Sequence, residues 1–144
     1  MAEDFVNTHC HSWYSLLDGA ASPERLVKRA KEMGAPGMCL TEHGNMFSSI
    51  PFYEACKKEG IKPGLGVEGY VSKDRDTGLV TKPREKTTHI VLIAKNPVGY
   101  ANLCRIVSDS YKNFYYKPRM SMDFISKHAE GIICTTACLN GVVI

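Results

Sequence analysis

Residues 7–15 read Asn-Thr-His-Cys-His-Ser-Trp-Tyr-Ser and continue a short run, residues 4–8, that we predict to be a strand. His9 and His11 therefore stand two residues apart at a strand end. Because alternate side chains leave the same face of an extended backbone, both imidazoles point the same way. Two neutral imidazoles on one face suit a divalent metal such as Zn²⁺ or Mn²⁺. The alternative is a pair of hydrogen-bonded core histidines, so the rest of the chain has to decide.

Length and composition narrow the class of protein. A chain of 144 residues fits one domain with a single core, and it is short for a complete large α/β barrel. No apolar run approaches the ~18 residues needed to cross a bilayer, and the first five residues carry acids where a secretion signal would be basic. These features predict a soluble, cytoplasmic protein without a membrane partner. The net charge of +3 is compatible with a phosphate-bearing substrate.

The cysteines carry no C-x-x-C spacing, and most of them fall inside apolar strand or helix patterns. In a chain without a secretion signal, this usage predicts reduced, mostly buried thiols. They are Cys10, Cys39, Cys56, Cys104, Cys134 and Cys138.

Short β-like runs alternate with amphipathic segments, which predicts a parallel α/β sheet or barrel. The later predicted strands are residues 37–41, 64–70, 89–94 and 132–138. The predicted helices begin near residues 22, 49, 96 and 121, and Leu26, Ala30 and Met33 define the buried face of the first. Residues 73–88 are charged and aperiodic, which predicts an exposed loop.

Candidate metal ligands gather at the ends of these strands. His9 and His11 follow the first strand, and His43 follows the second. Glu68 lies late in the third strand, and Cys138 follows the last. Active sites of β/α barrels form at the carboxyl ends of the strands, so these side chains should meet at one rim.

Two further candidates are less direct. Asp18 lies just beyond the histidine pair and could turn back as a carboxylate ligand, whereas His89 precedes its strand, so spacing alone does not place it at the rim. Mixed His, carboxylate and Cys ligands in this number exceed what one tetrahedral ion requires. We infer a cluster of two or three divalent ions (Zn, Mn or Mg), of the kind that activates water for phosphoester hydrolysis. The ordinary alternatives are a turn at Asp18, a solvated edge charge at Glu68 and a core thiol at Cys138.

Residues 111–119 interleave aromatic and basic side chains. Such a segment could stack on bases and hold phosphates of a nucleic acid. The alternative is a loop that packs its tyrosines on the domain's own surface. The candidate DNA contacts are Lys112, Tyr115, Tyr116, Lys117 and Arg119.

Several ordered motifs identify a family. They are His9-Cys-His-Ser, Tyr14-Ser-Leu-Leu-Asp-Gly19, Thr41-Glu-His-Gly-Asn45, Gly60-Ile-Lys-Pro63, Gly66-Val-Glu68, Lys82-Pro-Arg-Glu85, His89-Ile-Val-Leu-Ile-Ala-Lys-Asn96, Gly99-Tyr-x-Asn-Leu103 and Ala137-Cys-Leu-x-Gly141. Through them the chain resembles, over its whole length, the PHP (polymerase and histidinol phosphatase) domain at the N-terminus of bacterial DNA polymerase III alpha subunits. The resemblance implies the N-terminal part of a distorted, seven-stranded, TIM-like β/α barrel with a trinuclear metal site. It also implies 3′–5′ proofreading exonuclease chemistry on DNA in metal-competent members.

The resemblance assigns a role to eight positions. The implied metal ligands are His9, His11, Asp18, His43, Glu68, His89 and Cys138, of which Glu68, His9 and His11 are expected to act in catalysis. Position 42 is Glu where the family usually has Asp, and this longer carboxylate could disturb the orientation of His43.

The family closes its site with a later Asp-x-His pair, which does not occur in residues 1–144. We therefore expect a PHP domain that is incomplete on its C-terminal side and comes from a longer polymerase, or from a split product that needs another chain. The expected partners are DNA and either the remainder of the alpha subunit or another replisome chain.

Three functions remain open at this stage. The first is a metal-dependent phosphoesterase acting on DNA 3′ ends within a replicative polymerase. The second is a small-molecule phosphatase of the histidinol-phosphate type, against which the Tyr14-to-Gly19 and Gly99-to-Leu103 motifs speak. The third is a non-catalytic module whose metals stabilise the polymerase or its contacts, although intact ligands argue against complete decay of the site.

Overall fold

The sequence sets the ends of helix α1 (Pro23–Glu32). The Ser22 side chain accepts a hydrogen bond from the backbone N–H of Arg25, and Pro23 takes the first helical position, where no N–H is needed. Beyond the helix, Gly34 adopts a left-handed conformation with φ 77°. Both ends lie where the sequence predicts them.

The computed structural model describes residues 5–72 and 87–142. After α1, the elements in these ranges are β1 (Gly37–His43), α2 (Ser49–Glu59), β2 (Lys62–Val71), β3 (Thr88–Ala94), α3 (Pro97–Lys112), α4 (Met122–Lys127) and β4 (Ile132–Thr135). The mixed α/β class is as predicted. Within the same two ranges, no helix has the length and apolar character needed to cross a membrane.

The four strands form one sheet in the order β1-β2-β3-β4. Strand β1 pairs with β2 in parallel, but the β2–β3 and β3–β4 pairs are antiparallel. The prediction of a parallel sheet is therefore wrong for two of the three pairings. Between β3 and β4 the chain forms two helices and returns to the end of the sheet that it left, because Ile132 pairs with Ala94.

The direction of β3 and β4 determines what reaches the rim. Because β3 is antiparallel to β2, its first residues lie beside the carboxyl end of β2, and His89 pairs with Tyr70. Because β4 is antiparallel to β3, the chain that follows β4 returns to the same edge, where the His89 N–H donates to the carbonyl of Asn140 at 2.7 Å. The sheet topology thus brings both His89 and Cys138 to one rim.

The two faces of the sheet carry different side chains. On the outer face, Met38 of β1 lies in a cluster with Phe52 of α2, and Leu92 of β3 lies in a cluster with Leu103 of α3. Alternate positions point to the opposite, inner face, where Cys39, Val91 and Ile93 form a separate small cluster. His43, Glu68 and His89 continue this inner face toward the rim.

The predicted first strand, residues 4–8, is wrong as a regular strand. Asn7 forms only an isolated parallel bridge with Met38, and residue 4 lies outside the described residues. The carbonyls of Asn7 and Cys10 accept hydrogen bonds from the N–H groups of Cys39 and Thr41. The three residue steps from Asn7 to Cys10 therefore face only the two steps from Cys39 to Thr41 in β1, so a regular ladder of hydrogen bonds cannot continue.

Three other predictions need correction. The last strand ends at Thr135 rather than at residue 138, because Ala137 has φ 60° and the Gly141 N–H closes a turn. Met33 is 59% exposed because it caps α1, and Val27 takes the fully buried position instead. Cys134 and Cys138 are exposed rather than buried, although all six cysteines are free as expected. Most of the predicted charged loop, residues 73–86, lies outside the described residues.

Adjacent aromatic residues on α2 test the packing of the outer face. Phe52 is fully buried, whereas Tyr53 is 42% exposed. We expect Phe52→Ala to lower the free energy of unfolding by about 3–5 kcal/mol, because the removed ring leaves a cavity. The matched change Tyr53→Ala should lower it by only about 0.5 kcal/mol. Urea unfolding followed by circular dichroism compares the two, and equal losses would contradict this packing.

Candidate metal centre

A buried carboxylate anchors the loop that follows the first histidine pair. Glu42 is fully buried and accepts hydrogen bonds from the Ser12 N–H, at 3.1 and 3.3 Å, and from the Ser12 hydroxyl. It also accepts a hydrogen bond from the Ser15 hydroxyl at 2.5 Å. The Ser15 oxygen in turn accepts the backbone N–H of His43 at 3.0 Å. Glu42 thus holds two segments of the site together through serine side chains.

The Ser15 hydroxyl also fixes which nitrogen of His11 faces the centre. Its single proton is donated to Glu42, which as a carboxylate can only accept. The Nδ1 of His11, 3.2 Å from the Ser15 oxygen, must then be the donor of that pair. The His11 Nε2 then carries no proton and presents its lone pair, and this nitrogen lies 3.3 Å from Glu68 Oε2. His11 therefore presents a ligand-ready nitrogen.

Four imidazoles surround Glu68, which is only 2% exposed. Its Oε2 lies 2.8 Å from His43 Nδ1, 3.3 Å from His11 Nε2 and 3.5 Å from His9 Nε2. Its Oε1 lies 2.7 Å from His89 Nδ1. The alternative of a solvated edge charge is therefore wrong for Glu68, since a buried carboxylate needs compensating partners.

His43 lies between two carboxylates. Its Nδ1 faces Glu68, and its Nε2 lies 2.8 Å from Asp18 Oδ2. The Asp18 side chain is 57% exposed and reaches the centre from the loop after the histidine pair. Asp18 therefore lies in a turn, as the alternative reading of its sequence predicts, and it also contacts His43.

The charges of the centre shift its pKa values. Burial opposes ionisation of Glu68, but the contact with His43 and the charges of His43, His89 and His9 lower the Glu68 pKa to about 2. Contact with Glu68, helped by Asp18, raises the pKa of His43 despite its burial. Burial and the neighbouring charge of His43 lower the pKa of His11, which keeps that imidazole neutral.

The polar atoms that face one another in the centre test whether a metal fits. His9 Nε2 lies 3.1 Å from His11 Nε2, within hydrogen-bond distance. His43 Nδ1 and Glu68 Oε2 are buried and 2.8 Å apart but are not aligned for a hydrogen bond, and neither has one within residues 5–72 and 87–142. His11 Nε2, with its lone pair, also faces Glu68 Oε2 at 3.3 Å, and two acceptors this close require a proton or a cation between them. Imidazole nitrogen, carboxylate oxygen and thiolate are the ligands of Zn²⁺ and Mn²⁺, so these residues fit a divalent ion.

The seven side chains predicted as ligands all lie in this centre. Their ligand atoms form groups of three, each within 4.8 Å, namely His9, His11 and Glu68; His11, Asp18 and His43; and Glu68, His89 and Cys138. In the last group, Cys138 Sγ lies 3.3 Å from His89 Nδ1. Their role as ligands stays a prediction.

The predicted DNA-contacting side chains differ in their exposure. Arg119 is only 5% exposed, and its guanidinium lies 5.0 Å from the Tyr115 ring centroid. The Arg119 side chain therefore packs within the domain, and its role as a nucleic-acid contact stays a prediction. Tyr115 and Tyr116 pack edge to face at 4.8 Å, but Tyr116 is 83% exposed, so its ring is not packed on the domain's own surface.

The two lysines of that segment differ from each other. Lys112 is exposed and pairs with Asp109 at 3.7 Å, one helical turn earlier. Lys117 Nζ lies 4.2 Å from the ring centroid of Tyr70, which packs beside His43 and His89. Only Lys117 therefore contacts a side chain that borders the centre.

Sequence reasoning missed three residues of the site. Ser12 and Ser15 link Glu42 to the loop, but their partner lies about thirty residues away in the chain, so only the fold connects them. Tyr70 could have been found, because it stands two residues after Glu68 in a predicted strand and shares its face. Burial and the charges of Glu68 and Asp18 raise the pKa of Tyr70 to about 12.

The protein is thus an α/β domain whose sheet gathers histidines, a buried glutamate and a cysteine at one rim, in groups that could hold a metal ion. A family profile described as "PHP domain" matches residues 7–143. The chain belongs to the PHP domain family.

The similar proteins include replicative polymerase subunits. The chain is 43% identical to the DNA polymerase III subunit alpha of Borreliella burgdorferi, covering 96% of this chain and 12% of that protein. It is 44% identical to the corresponding subunit of Aquifex aeolicus, covering 99% of this chain and 13% of that protein. The chain thus spans about one eighth of the length of these relatives.

A solved structure supports the fold. A protein from Bifidobacterium adolescentis that is described as a metal-dependent phosphoesterase superposes with a TM-score of 0.54 at 20% identity. The superposition covers 74% of this chain and 33% of that protein. The four-stranded sheet with its helices is therefore consistent with part of a PHP barrel.

The pKa of His43 tests the electrostatics of the centre. In protein freed of metal by a chelator, Glu68→Gln should lower the His43 pKa relative to the unchanged protein, because it removes the carboxylate charge that stabilises the imidazolium. Proton NMR of the imidazole resonances follows the titration. Glu54→Gln, which changes an exposed glutamate on α2, is the matched control and should leave the titration in place. An unchanged or raised His43 pKa in Glu68→Gln would contradict the assigned contact.

Proposed function

We propose that this chain is the PHP domain of a DNA polymerase III alpha subunit and that it binds a cluster of two or three divalent ions. We further propose that in the full-length protein this centre removes nucleotides from DNA 3′ ends by phosphodiester hydrolysis. The observation that carries the proposal is the buried carboxylate of Glu68 in contact with four histidines. The similarity to polymerase subunits supports DNA as the substrate and the cytoplasm as the location.

Glu68 would be shared between ions. It contributes ligand atoms to two of the three groups, one with His9 and His11 and the other with His89 and Cys138. Its two oxygens face different histidines, since Oε2 faces His11 and Oε1 faces His89. A carboxylate so arranged can bridge two cations.

The remaining residues would prepare the centre for the reaction. When bound there, divalent ions would lower the pKa of a coordinated water and offset negative charge on phosphoryl oxygens. Glu42, through Ser15, holds the His11 tautomer that keeps Nε2 free. Asp18 lies 2.8 Å from His43 Nε2 and closes the exposed side of the centre.

A second candidate is a metal-stabilised module without catalysis. It is favoured by the group of Glu68, His89 and Cys138, which connects β2 and β3 with the turn after β4. An ion in that group would tie the edge strand to the sheet and could stabilise the fold by several kcal/mol.

The reaction is tested with the full-length protein. We expect Glu68→Gln to lower mononucleotide release from 3′-labelled DNA, in Mn²⁺ or Zn²⁺, by more than about 100-fold. The reason is that the two ligand groups that share Glu68 would each lose a charged ligand. Glu54→Gln is the control and should keep full release, and polymerisation should persist in both variants.

Other outcomes separate the candidates. Unchanged release by Glu68→Gln would assign the nuclease to another part of the protein. Metal-dependent thermal stability without any release would favour the structural module. Hydrolysis of histidinol phosphate, but not of DNA, would favour the small-molecule phosphatase.

A further inference from the structure

We propose that the Tyr70 hydroxyl and the Lys117 ammonium form the phosphate-binding part of this centre. In this role, the hydroxyl donates a hydrogen bond to a non-bridging phosphate oxygen, and the ammonium neutralises the negative charge of the phosphate. The inference rests on the proposed phosphoester hydrolysis and adds the residues that would hold the substrate.

Tyr70 is built into the wall of the centre. It stands two residues after Glu68 in β2, so both side chains leave the inner face of the sheet, and it pairs directly with His89 of β3. Its ring centroid lies 6.2 Å from that of His43, nearly parallel at 19°, and 5.1 Å from that of His89 at 82°. Tyr70 therefore borders the two histidines that contact opposite oxygens of Glu68.

The Tyr70 hydroxyl is available to a ligand. Tyr70 is only 6% exposed, and within residues 5–72 and 87–142 its hydroxyl makes no hydrogen bond. The hydroxyl is not among the fully buried side-chain atoms that lack a partner in the described residues, so it reaches solvent while the ring is buried. A phosphate oxygen bound beside the histidines would replace that solvent and accept the hydroxyl proton.

Lys117 is held over the same ring. Its Nζ lies 4.2 Å from the Tyr70 ring centroid, within the range of a cation–π contact. It comes from a tight turn in which Tyr115 bridges to Lys117 and Tyr116 has φ 56°. In the described part of the chain, Lys117 forms no ion pair with a carboxylate, so its charge remains available to an anion.

The residue that follows this turn, Pro118, packs against Gly44 and so fixes the position of the turn. Gly44, directly after His43, adopts φ 65°, and a Cβ built there would lie 2.6 Å from Pro118 Cγ and 3.3 Å from the Tyr70 ring. Glycine at position 44 thus allows the turn to pack closely against the end of β1. Lys117 is thereby set beside the candidate metal ligands rather than at a distant surface.

The chain contains a matched pair away from the centre. Lys57 Nζ lies 5.9 Å from the Tyr53 ring centroid on α2. Tyr53 lines a cavity of about 430 Å³ that lies away from the candidate metal centre, together with Pro63 at the start of β2 and Ala94 at the end of β3. This pair has the same chemistry at the opposite end of the sheet, so it serves as the control.

The experiment uses the full-length protein loaded with Mn²⁺, with metal content measured for every variant. We expect Tyr70→Phe, which keeps the ring and its packing, to weaken binding of inorganic phosphate about tenfold by calorimetry, the effect of one hydrogen bond to a charged group. Lys117→Met should weaken it to a similar extent. KM for 3′-labelled DNA should rise in both variants at unchanged metal content, whereas Tyr53→Phe and Lys57→Met should change neither quantity.

The outcomes distinguish this inference from the proposed reaction. Unchanged phosphate affinity in Tyr70→Phe and Lys117→Met, at equal metal content, would overturn the phosphate site even if DNA hydrolysis is normal. Equal losses in the control pair would also overturn it. Phosphate binding that depends on Tyr70, in a protein that releases no nucleotides, would support the site and refute the exonuclease reaction.

Discussion

The structure of the rim depends on one constraint, which is that the buried carboxylate of Glu68 must be compensated. Burial alone would favour its neutral form. Of the four imidazoles within 3.5 Å, His43, His89 and His9 lower the Glu68 pKa and keep the carboxylate ionised. The same imidazoles have their own constraints, since His11 is held by Ser15 and His43 lies against Asp18. Glu68 therefore connects the loop after the first histidine pair with both central strands.

The change of strand direction inside the sheet makes this cluster possible. A purely parallel sheet would leave His89 at the far end of its strand, away from Glu68. Reversal of β3 brings His89 beside Tyr70, and reversal of β4 brings Cys138 to within 3.3 Å of His89. Side chains from five separate segments thus meet at one rim.

The sequence predicted the helices and the inner strands well, because caps and periodicity are local signals, as at Ser22 and Asn96. The grouping of the candidate ligands was also predicted, through strand-end positions and family motifs. The directions of β3 and β4 could not be predicted, because strand pairing depends on long-range contacts. The burial of Arg119 and the link between Glu42 and Ser15 were missed for the same reason, since each depends on partners that are distant in sequence.

Elemental analysis of the full-length protein would show whether these side chains hold divalent metal. The unchanged protein and His128→Ala, a histidine at the end of α4 outside the centre, should carry the same two or three equivalents of metal. The double variant His9→Ala, His11→Ala should carry fewer, because two of the three ligand groups lose members. Equal metal content in the double variant and the unchanged protein would show that His9 and His11 are not metal ligands.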